Sequence, residues 1–278
     1  MAIYNFPDQL IPDFTDVFVH RYQISVHANK NKVNLSQNVF SFLIQGQKEV
    51  HFQDTTVDIG DDKILLMAAG NCLMTENLSE YQSYESLLLF FSQETIERFL
   101  FKYKSESLKT QSIPQTPYFI VEKDEFIKIF IQSLAQSLKF QNTTSSIFLE
   151  IKFDEIALYL CQKHGQEFEL FLYSLLQNRY DLSFKKIIDT YKYSILDLEE
   201  IAFLCNMSLS TFKRHFQKNY HEVPGKWFQK QRLQQAKNLI QSQSVRPSEI
   251  YMNYGYENLS NFSNAFKNEF GYRPSQTT

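Results

Sequence analysis

The sequence predicts a protein of mixed α and β structure with two domains, an N-terminal β-barrel followed by helices and a C-terminal all-α domain. Three observations lead to this fold class. Short apolar runs with turn residues fill about residues 17–95, helical periodicity replaces them over about residues 94–180, and one aromatic pattern occurs twice in the last third. We therefore expect one domain over residues 1–182 and another over residues 183–278, in which two helix-turn-helix units are joined by a long helix.

Three β-rich stretches predict the strands of the first domain. They cover residues 39–52, 56–75 and 83–92. The turn residues among them are Gly46, Gly60-Asp61-Asp62 and Gly70-Asn71. Short strands with turns at these intervals are typical of a compact barrel or a double-sheet roll.

Amphipathic helices follow the strands. Residues 124–140 place six apolar side chains on one helical stripe, and residues 145–164 and 167–176 continue as helices. The stripe consists of Phe126, Ile127, Phe130, Ile131, Leu134 and Leu138. It is either helical core or, through Phe126, Phe130, Leu134 and Leu138, the seam of a homodimer. The connection between strands and helices is placed at residues 110–118, whose two prolines fit neither element.

The C-terminal domain contains a helix, a tight turn and a second helix over residues 197–220. Asp197 and Glu200 form a capping-box pattern at the start of the first helix. Asn206 falls where the chain must turn, since asparagine tolerates left-handed backbone, and Ser208 can cap the second helix. The buried stripe of the first helix is predicted to be Leu198, Ile201, Ala202 and Cys205.

The same unit occurs again fifty residues later. Aromatic residues four apart form one helical stripe, because four residues advance about 400° around the axis. The matching sets are Phe212, Phe216, Tyr220 and Pro224 in the first copy and Phe262, Phe266, Phe270 and Pro274 in the second. In the second copy Pro247 suits the first helical position, Ile250 matches Ile201, Gly255 takes the turn position and Asn258 can cap the next helix.

A continuous helix is predicted between the copies, over residues 224–240. Its apolar anchors are Trp227, Phe228, Leu233, Ala236, Leu239 and Ile240. At about 1.5 Å per residue it spans about 26 Å. Successive major-groove faces lie about 34 Å apart, so two units on this spacer could contact one side of a duplex.

The second helix of each copy carries a polar face beside its aromatic stripe. The residues on these faces are Leu209, Ser210, Thr211, Lys213, Arg214 and Lys218 in the first copy, and Ser260, Asn261, Ser263, Asn264 and Lys267 in the second. Residues 183–278 hold 13 Lys and Arg against 8 Asp and Glu, whereas residues 1–182 hold 15 against 23. Any amphipathic helix has a polar face, but two copies at matched spacing favour contacts with double-stranded DNA.

The last ninety or so residues resemble the DNA-binding domain of the AraC/XylS family of transcription regulators. The stretches that carry the resemblance are LEEIAFLCNMSLSTFKRHFQ, PGKWFQKQRLQQAKNLI and, most specific, GYENLSNFSNAFKNEFGYRPS. The resemblance implies major-groove contacts from Ser210, Lys213 and Arg214 in the first unit and from Ser260, Ser263 and Asn264 in the second. It also implies an activator, with RNA polymerase as a partner.

Three positions depart from the family pattern. Tyr251 and Tyr254 stand where small or modest residues are usual, which predicts different packing of the first helix of the second unit. Asn264 occupies a place often held by arginine, which predicts either weaker base reading there or a shift of base preference from guanine toward adenine. We therefore expect the first unit to be the stronger base reader.

The early strands resemble the cupin-like effector domain that precedes this DNA-binding domain in many members, followed by dimerisation helices. The stretch that carries this resemblance is GQKEVHFQDTTVDIGDDKILLM. Cupin enzymes bind metal through closely spaced histidines and a carboxylate, and His20, His27 and His51 lack that spacing, although histidines on separate strands could converge. No nucleotide-binding or hydrolase motif occurs, and the apolar stripe of its helix explains Cys161 near His164. We expect no enzyme, metal or cofactor.

The chain also lacks the features of a membrane or secreted protein. It has no run of about 18 apolar residues, and its first ten residues contain neither a basic nor an apolar signal segment. The three scattered cysteines, Cys72, Cys161 and Cys205, fit thiols in a reducing cytoplasm.

The sequence thus predicts a cytoplasmic, sequence-specific DNA-binding transcription regulator. Its N-terminal domain is expected to respond either to an enclosed small molecule or to a partner protein, and to adjust dimerisation or arm position. The alternative is a non-catalytic cupin-like ligand-binding protein whose C-terminal helices are a docking module. A cupin enzyme fused to DNA-binding units is disfavoured by the missing metal spacing.

Overall fold

The chain divides into two compact units, Met1–Asp181 and Leu182–Thr278. The computed structural model describes residues 3–11, 16–103, 116–138, 146–176, 184–243 and 245–277. The boundary predicted between residues 182 and 183 lies outside the described residues, as does most of the connection predicted at residues 110–118. Both stay predictions.

Strands dominate the first half of the first unit. In chain order they are β1 (Ile3–Phe6), β2 (Val17–Ile24), β3 (Ala28–Leu35), β4 (Asn38–Gln45), β5 (Gln47–His51), β6 (Thr56–Ile59), β7 (Lys63–Met67), β8 (Gly70–Asn77), β9 (Tyr84–Phe91) and β10 (Tyr118–Glu122). They form one sheet in the order β1-β3-β8-β5-β6 and another in the order β10-β7-β4-β9-β2. The pairing of β1 with β3 is parallel, and the other described pairings are antiparallel.

The second half of strand β9, residues 87–91, is apolar without interruption. Leu87, Leu89 and Phe91 face the helices, whereas Leu88 and Phe90 face the opposite sheet. Successive side chains of a strand point to opposite faces, so a strand that is covered on both sides needs an apolar residue at every position.

Four helices pack against the second sheet. They are α1 (Gln93–Tyr103), α2 (Glu125–Ser137), α3 (Ser146–His164) and α4 (Gln166–Leu176). The ring of Phe130 on α2 lies 5.6 Å from that of Phe42 on β4, and Phe153 on α3 lies 4.8 Å from Phe91 on β9. These contacts join helices and sheet in one core.

The structure corrects two predictions for this unit. Strands β1 and β10 lie outside the predicted strand range of 17–95. Strand β1 was missed because it has only four residues. Strand β10 and its pairing with β7 were missed because the strand comes at the end of the proline-containing connection. Phe130 and Leu134 are fully buried in the core of their own unit, and therefore they cannot form a dimer seam.

The second unit is helical. Its helices are α5 (Phe184–Tyr191), α6 (Leu198–Leu204), α7 (Leu209–Tyr220), α8 (Pro224–Gln243), α9 (Pro247–Ile250) and α10 (Leu259–Phe270), with short 3₁₀ helices at Tyr251–Tyr254 and Pro274–Gln276. Together the two units confirm the predicted fold class. In neither unit does the described part of the chain contain a helix that is long and apolar enough to cross a membrane.

Candidate nucleic-acid interface

Side-chain caps hold the first helix-turn-helix unit on both sides of its turn. Asp197 accepts a hydrogen bond from the backbone N–H of Glu200, and Glu200 accepts one from the backbone N–H of Asp197, each at 2.8 Å. Asn206 has a φ of 55°, and Ser208 Oγ accepts from the backbone N–H of Thr211 at 3.3 Å. The capping and turn roles predicted for these residues are confirmed.

An aromatic stripe anchors α7 to the unit. Phe212 and Phe216 are fully buried. The ring of Phe216 lies 5.6 Å from that of Phe228 and 5.4 Å from that of Trp227, both on α8. Phe184 of α5 packs on Phe212 at 5.7 Å. With these rings inward, the helix cannot rotate without opening its core, so its outer face is fixed.

The outer face of α7 carries the residues predicted to contact DNA. Ser210, Lys213, Arg214 and Lys218 are exposed, and Leu209 and Thr211 are half-buried. Lys213, Arg214 and Lys218 make no hydrogen bond or ion pair with any described residue. Three cations on one face, none of them paired with a described residue, would favour an anionic partner such as a phosphate backbone.

The first helix of the second helix-turn-helix unit is shorter than that of the first helix-turn-helix unit, and it ends in a 3₁₀ helix. α9 spans four residues and continues as the 3₁₀ helix Tyr251–Tyr254, with Tyr254 buried. Whether this packing differs from the family pattern, as Tyr251 and Tyr254 predict, stays a prediction. Gly255 then turns the chain with a φ of 80°, and Asn258 Oδ1 accepts from the backbone N–H of Asn261 at 2.8 Å.

Helix α10 repeats the design of α7 with less charge. Phe262 and Phe266 are fully buried, and their rings lie 5.9 Å apart. Its predicted contact residues are Ser260, Asn261, Asn264 and Lys267, which are exposed, and Ser263, which is half-buried. Lys267 is the single basic residue among these five positions, so this face of α10 carries less positive charge than that of α7.

Helix α8 joins the two helix-turn-helix units. It has 20 residues, three more than predicted, and at about 1.5 Å per residue it is about 30 Å long. Phe228 contacts the first helix-turn-helix unit, whereas Leu233, Ala236 and Ile240 are buried in the core of the second. The predicted spacer is therefore also a shared part of both cores.

Sequence reasoning missed helix α5 and the contacts at the middle of α8. There Arg232 Nη1 donates to the carbonyl oxygen of Ser194 at 3.3 Å, and Gln229 Nε2 donates to the hydroxyl of Tyr256 at 3.3 Å. The partners are 38 and 27 positions apart. Nothing in a single sequence identifies such pairs, because local periodicity carries no information about distant contacts.

Three histidines of the N-terminal compact unit, His20, His27 and His51, do not converge. His20 stacks on Phe18 at 6.3 Å, His27 Nδ1 accepts from a backbone N–H at 3.3 Å, and His51 Nδ1 lies 2.7 Å from Thr56 Oγ1. The described residues include no group of three side chains placed to hold a metal ion. The open possibility of convergence from separate strands is therefore not realised in the described part of the chain.

A small cavity lies between the two sheets, lined by described residues of both. Its volume is about 20 Å³, which is room for about one water molecule. Lys48 Nζ lies inside, 3.1 Å from Ser41 Oγ and 3.9 Å from Glu76 Oε1, and the hydroxyl of Tyr22 donates to Glu76 at 3.0 Å. The buried lysine charge is thus balanced within the unit.

Two family models match the chain, each over one unit. The model described as the ExsA N-terminal regulatory domain matches residues 38–171, and the model described as a helix-turn-helix domain matches residues 201–278.

Curated relatives match over most of the chain. The virulence regulon transcriptional activator VirF of Yersinia enterocolitica is 24% identical over 249 residues, covering 88% of this chain and 90% of the relative. The thermoregulatory protein LcrF of Yersinia pestis is also 24% identical with the same coverage. Among solved structures, an apo ToxT variant from Vibrio cholerae is 14% identical, with a TM-score of 0.44 over 95% of this chain and 97% of that chain.

Proposed function

We propose that the chain is an activator of the AraC/XylS family of DNA-binding transcription regulators, and that it contacts one side of a duplex with both α7 and α10. Its relatives are regulators, which confirms the expectation of a regulator rather than an enzyme. The observation that carries the two-helix proposal is a pair of anchored helices with exposed polar faces, joined by one shared helix about 30 Å long.

The predicted contact residues divide by chemistry. Ser210, Lys213 and Arg214 on α7, and Ser260, Ser263 and Asn264 on α10, are proposed to contact base edges. The other members of the two faces are proposed to position the helices on sugar and phosphate, and they are Leu209, Thr211, Lys218, Asn261 and Lys267. The greater charge of α7 supports its role as the stronger reader.

Control by an effector is proposed to act at the surface of the first unit. A cavity of about 20 Å³ holds about one water molecule. The charge of Lys48 is already balanced by Glu76, so an enclosed anionic molecule would meet no unpaired cation there. Both observations favour a partner protein over an enclosed small molecule.

Homodimerisation is proposed through the outer faces of α2 and α3 in place of the predicted seam. Ile129 on α2 is 58% exposed, and Ile147 and Ile151 on α3 are 64% and 55% exposed. Exposed apolar side chains grouped on two neighbouring helices are typical of association surfaces. RNA polymerase as a further partner and a cytoplasmic location are proposed because an activator works at its promoter.

The experiment that tests this function is selection of duplexes by the full chain from a random library. We expect a bound sequence with two conserved segments, and an adenine in the segment contacted by Asn264. Affinity for the selected duplex should exceed that for a scrambled duplex and should fall steeply with salt, since each neutralised phosphate releases counterions. Equal affinity for selected and scrambled duplexes across the salt series would contradict sequence-specific recognition.

A further inference from the structure

The cores of the two helix-turn-helix units meet at the middle of α8. Phe228 packs against Phe216 of the first unit, and Leu233, just over one turn later, is buried with Phe262 of the second. A shared helix fixes the separation of two units. Their rotation about that helix also depends on contacts beside it, so the residues at this crossing matter for how α7 and α10 face a duplex.

Arg232 lies at this crossing and is half-buried. Its Nη1 donates to the Ser194 carbonyl oxygen at 3.3 Å, while its Nε is buried and meets no acceptor among the described residues. Burial lowers the pKa of Arg232, and the nearby Tyr256 acts in the opposite direction. Removing a guanidinium from water has a cost that an apolar residue of similar length would avoid, so stability alone does not account for it.

A second contact crosses the same junction. Ser194 and Ile195 belong to the segment between α5 and α6 of the first unit, whereas Gly255 and Tyr256 form the turn of the second. A Cβ atom placed on Gly255 would lie 3.6 Å from Ile195 Cγ2, an ordinary van der Waals distance. Gln229, about one turn before Arg232, also reaches Tyr256. Ile195 and Gly255 are thus neighbours beside α8, and Gln229 joins Tyr256 to that helix.

We propose that Arg232 is a positioning residue for DNA recognition. By tying the segment before α6 to α8, it fixes the rotation of the first helix-turn-helix unit relative to the second helix-turn-helix unit. It thereby sets the spacing of half-sites that the chain accepts. The inference rests on the proposed function, because it requires α7 and α10 on one duplex. Linked modules gain most when the linkage matches the span of their sites, so a looser junction lowers affinity at the best spacing and tolerates others better.

A direct phosphate contact by Arg232 is the competing explanation. Phosphate-binding side chains need exposed donors, as Arg214 has, whereas Arg232 is half-buried, with Nη1 bonded to a backbone carbonyl and Nε buried, so fewer of its donors are available. The two explanations predict different measurements. A phosphate contact contributes equally at every half-site spacing, and a positioning residue acts only where both units bind.

The test uses the full chain and the duplex obtained by selection. Footprinting locates the two half-sites, and duplexes are then made with base pairs inserted or deleted between them, together with one that keeps a single half-site. The variants are Arg232→Met, which removes the charge, Arg232→Lys, which keeps it, and Ile195→Ser. Ile195 is 55% exposed, so this last variant loosens the junction without opening a core.

We expect Arg232→Met to lose about tenfold in affinity at the best spacing and less than about twofold on the single half-site, with a flatter spacing profile. Ile195→Ser should flatten the profile in the same direction, and Arg232→Lys should restore part of the loss. Circular dichroism of each variant checks folding, and if Arg232→Met is unfolded, the profile of Ile195→Ser decides.

Two outcomes overturn the inference alone. One is an equal loss on every duplex, including the single half-site, which would make Arg232 a phosphate contact. The other is an unchanged spacing profile in folded Arg232→Met or, where that variant is unfolded, in Ile195→Ser. A wild-type chain whose affinity does not depend on spacing would instead overturn the proposed binding by both helices, and the inference with it.

Discussion

At the scale of the residue, Arg214 and Lys218 lie one turn apart on α7 with different proposed tasks. Both are exposed and make no hydrogen bond or ion pair with a described residue. A guanidinium can form two parallel hydrogen bonds with a guanine edge, whereas an ammonium near the end of the helix acts as a point charge for phosphate. Exposure makes both positions safe for substitution, since neither side chain supports the core.

This difference gives a paired prediction. Arg214→Ala should cost about 1–3 kcal/mol on the selected duplex and little on a scrambled one, because base contacts exist only in the specific complex. Lys218→Ala should weaken both complexes by a similar factor and reduce the salt slope by about one. Fluorescence anisotropy with both duplexes across a salt series measures these quantities. A uniform loss for Arg214→Ala would reassign it to the phosphate backbone.

At the scale of the element, the turn of each helix-turn-helix unit depends on one left-handed residue. Asn206 takes this conformation in the first unit and Gly255 in the second, with φ values of 55° and 80°. Left-handed backbone is unfavourable for residues with a Cβ, and asparagine tolerates it through its short polar side chain. The two turns thus reach one geometry with different residues.

Gly255 and Gly225, both in the compact unit Leu182–Thr278, should therefore respond oppositely to alanine. Gly255→Ala should destabilise the unit by about 1–2 kcal/mol, since the new Cβ disfavours positive φ. Gly225→Ala, in the first turn of α8, should stabilise it by up to about 0.5–1 kcal/mol, because alanine loses less backbone entropy and its Cβ would lie 3.8 Å from Leu198.

Urea unfolding followed by tryptophan fluorescence provides the measurement. Trp227 is the only tryptophan in the chain, and its ring lies 5.0 Å from that of Tyr220. Its emission therefore reports on the compact unit Leu182–Thr278. If both variants changed the free energy of unfolding in the same direction, backbone conformation at Gly255 would not control the stability of this turn.

At the scale of the whole molecule, association through α2 and α3 would couple the first unit to DNA binding. Two chains on one DNA segment bind more tightly than independent chains, since the second contact occurs at high effective concentration. Ile147 and Ile151 are four residues apart on α3, so they lie on the same side of the helix. Their exposure supports this surface as the one that a second chain covers.

Replacing an exposed apolar residue of this surface with a carboxylate tests the proposed dimer. Ile151→Asp should raise the dimer dissociation constant by about tenfold or more, because burying an unpaired charge opposes association. Val26→Asp is the matched control, since Val26 is 74% exposed on the same unit and lies outside the proposed surface. Sedimentation velocity of the full chain measures both. Equal behaviour of wild type and Ile151→Asp would remove α2 and α3 from the dimer proposal.

The sequence by itself determined what is local or periodic. The caps at Asp197, Ser208 and Asn258 and the left-handed turns depend on residues only a few positions apart, and the aromatic stripes depend on a repeat of four. These signals sufficed to predict both helix-turn-helix units and the faces proposed to contact DNA. The strands between residues 17 and 95 followed from apolar runs and turn glycines in the same way.

Only the tertiary structure decided what depends on distant partners. It paired β10 with β7, placed Phe130 and Leu134 in the core rather than in a dimer seam, and brought Arg232 to Ser194. Apolar periodicity shows that a face is buried but not what buries it, and no local pattern marks a half-buried arginine. The physical reason is that packing couples residues across dozens of positions, and that coupling leaves no trace in the spacing of one sequence.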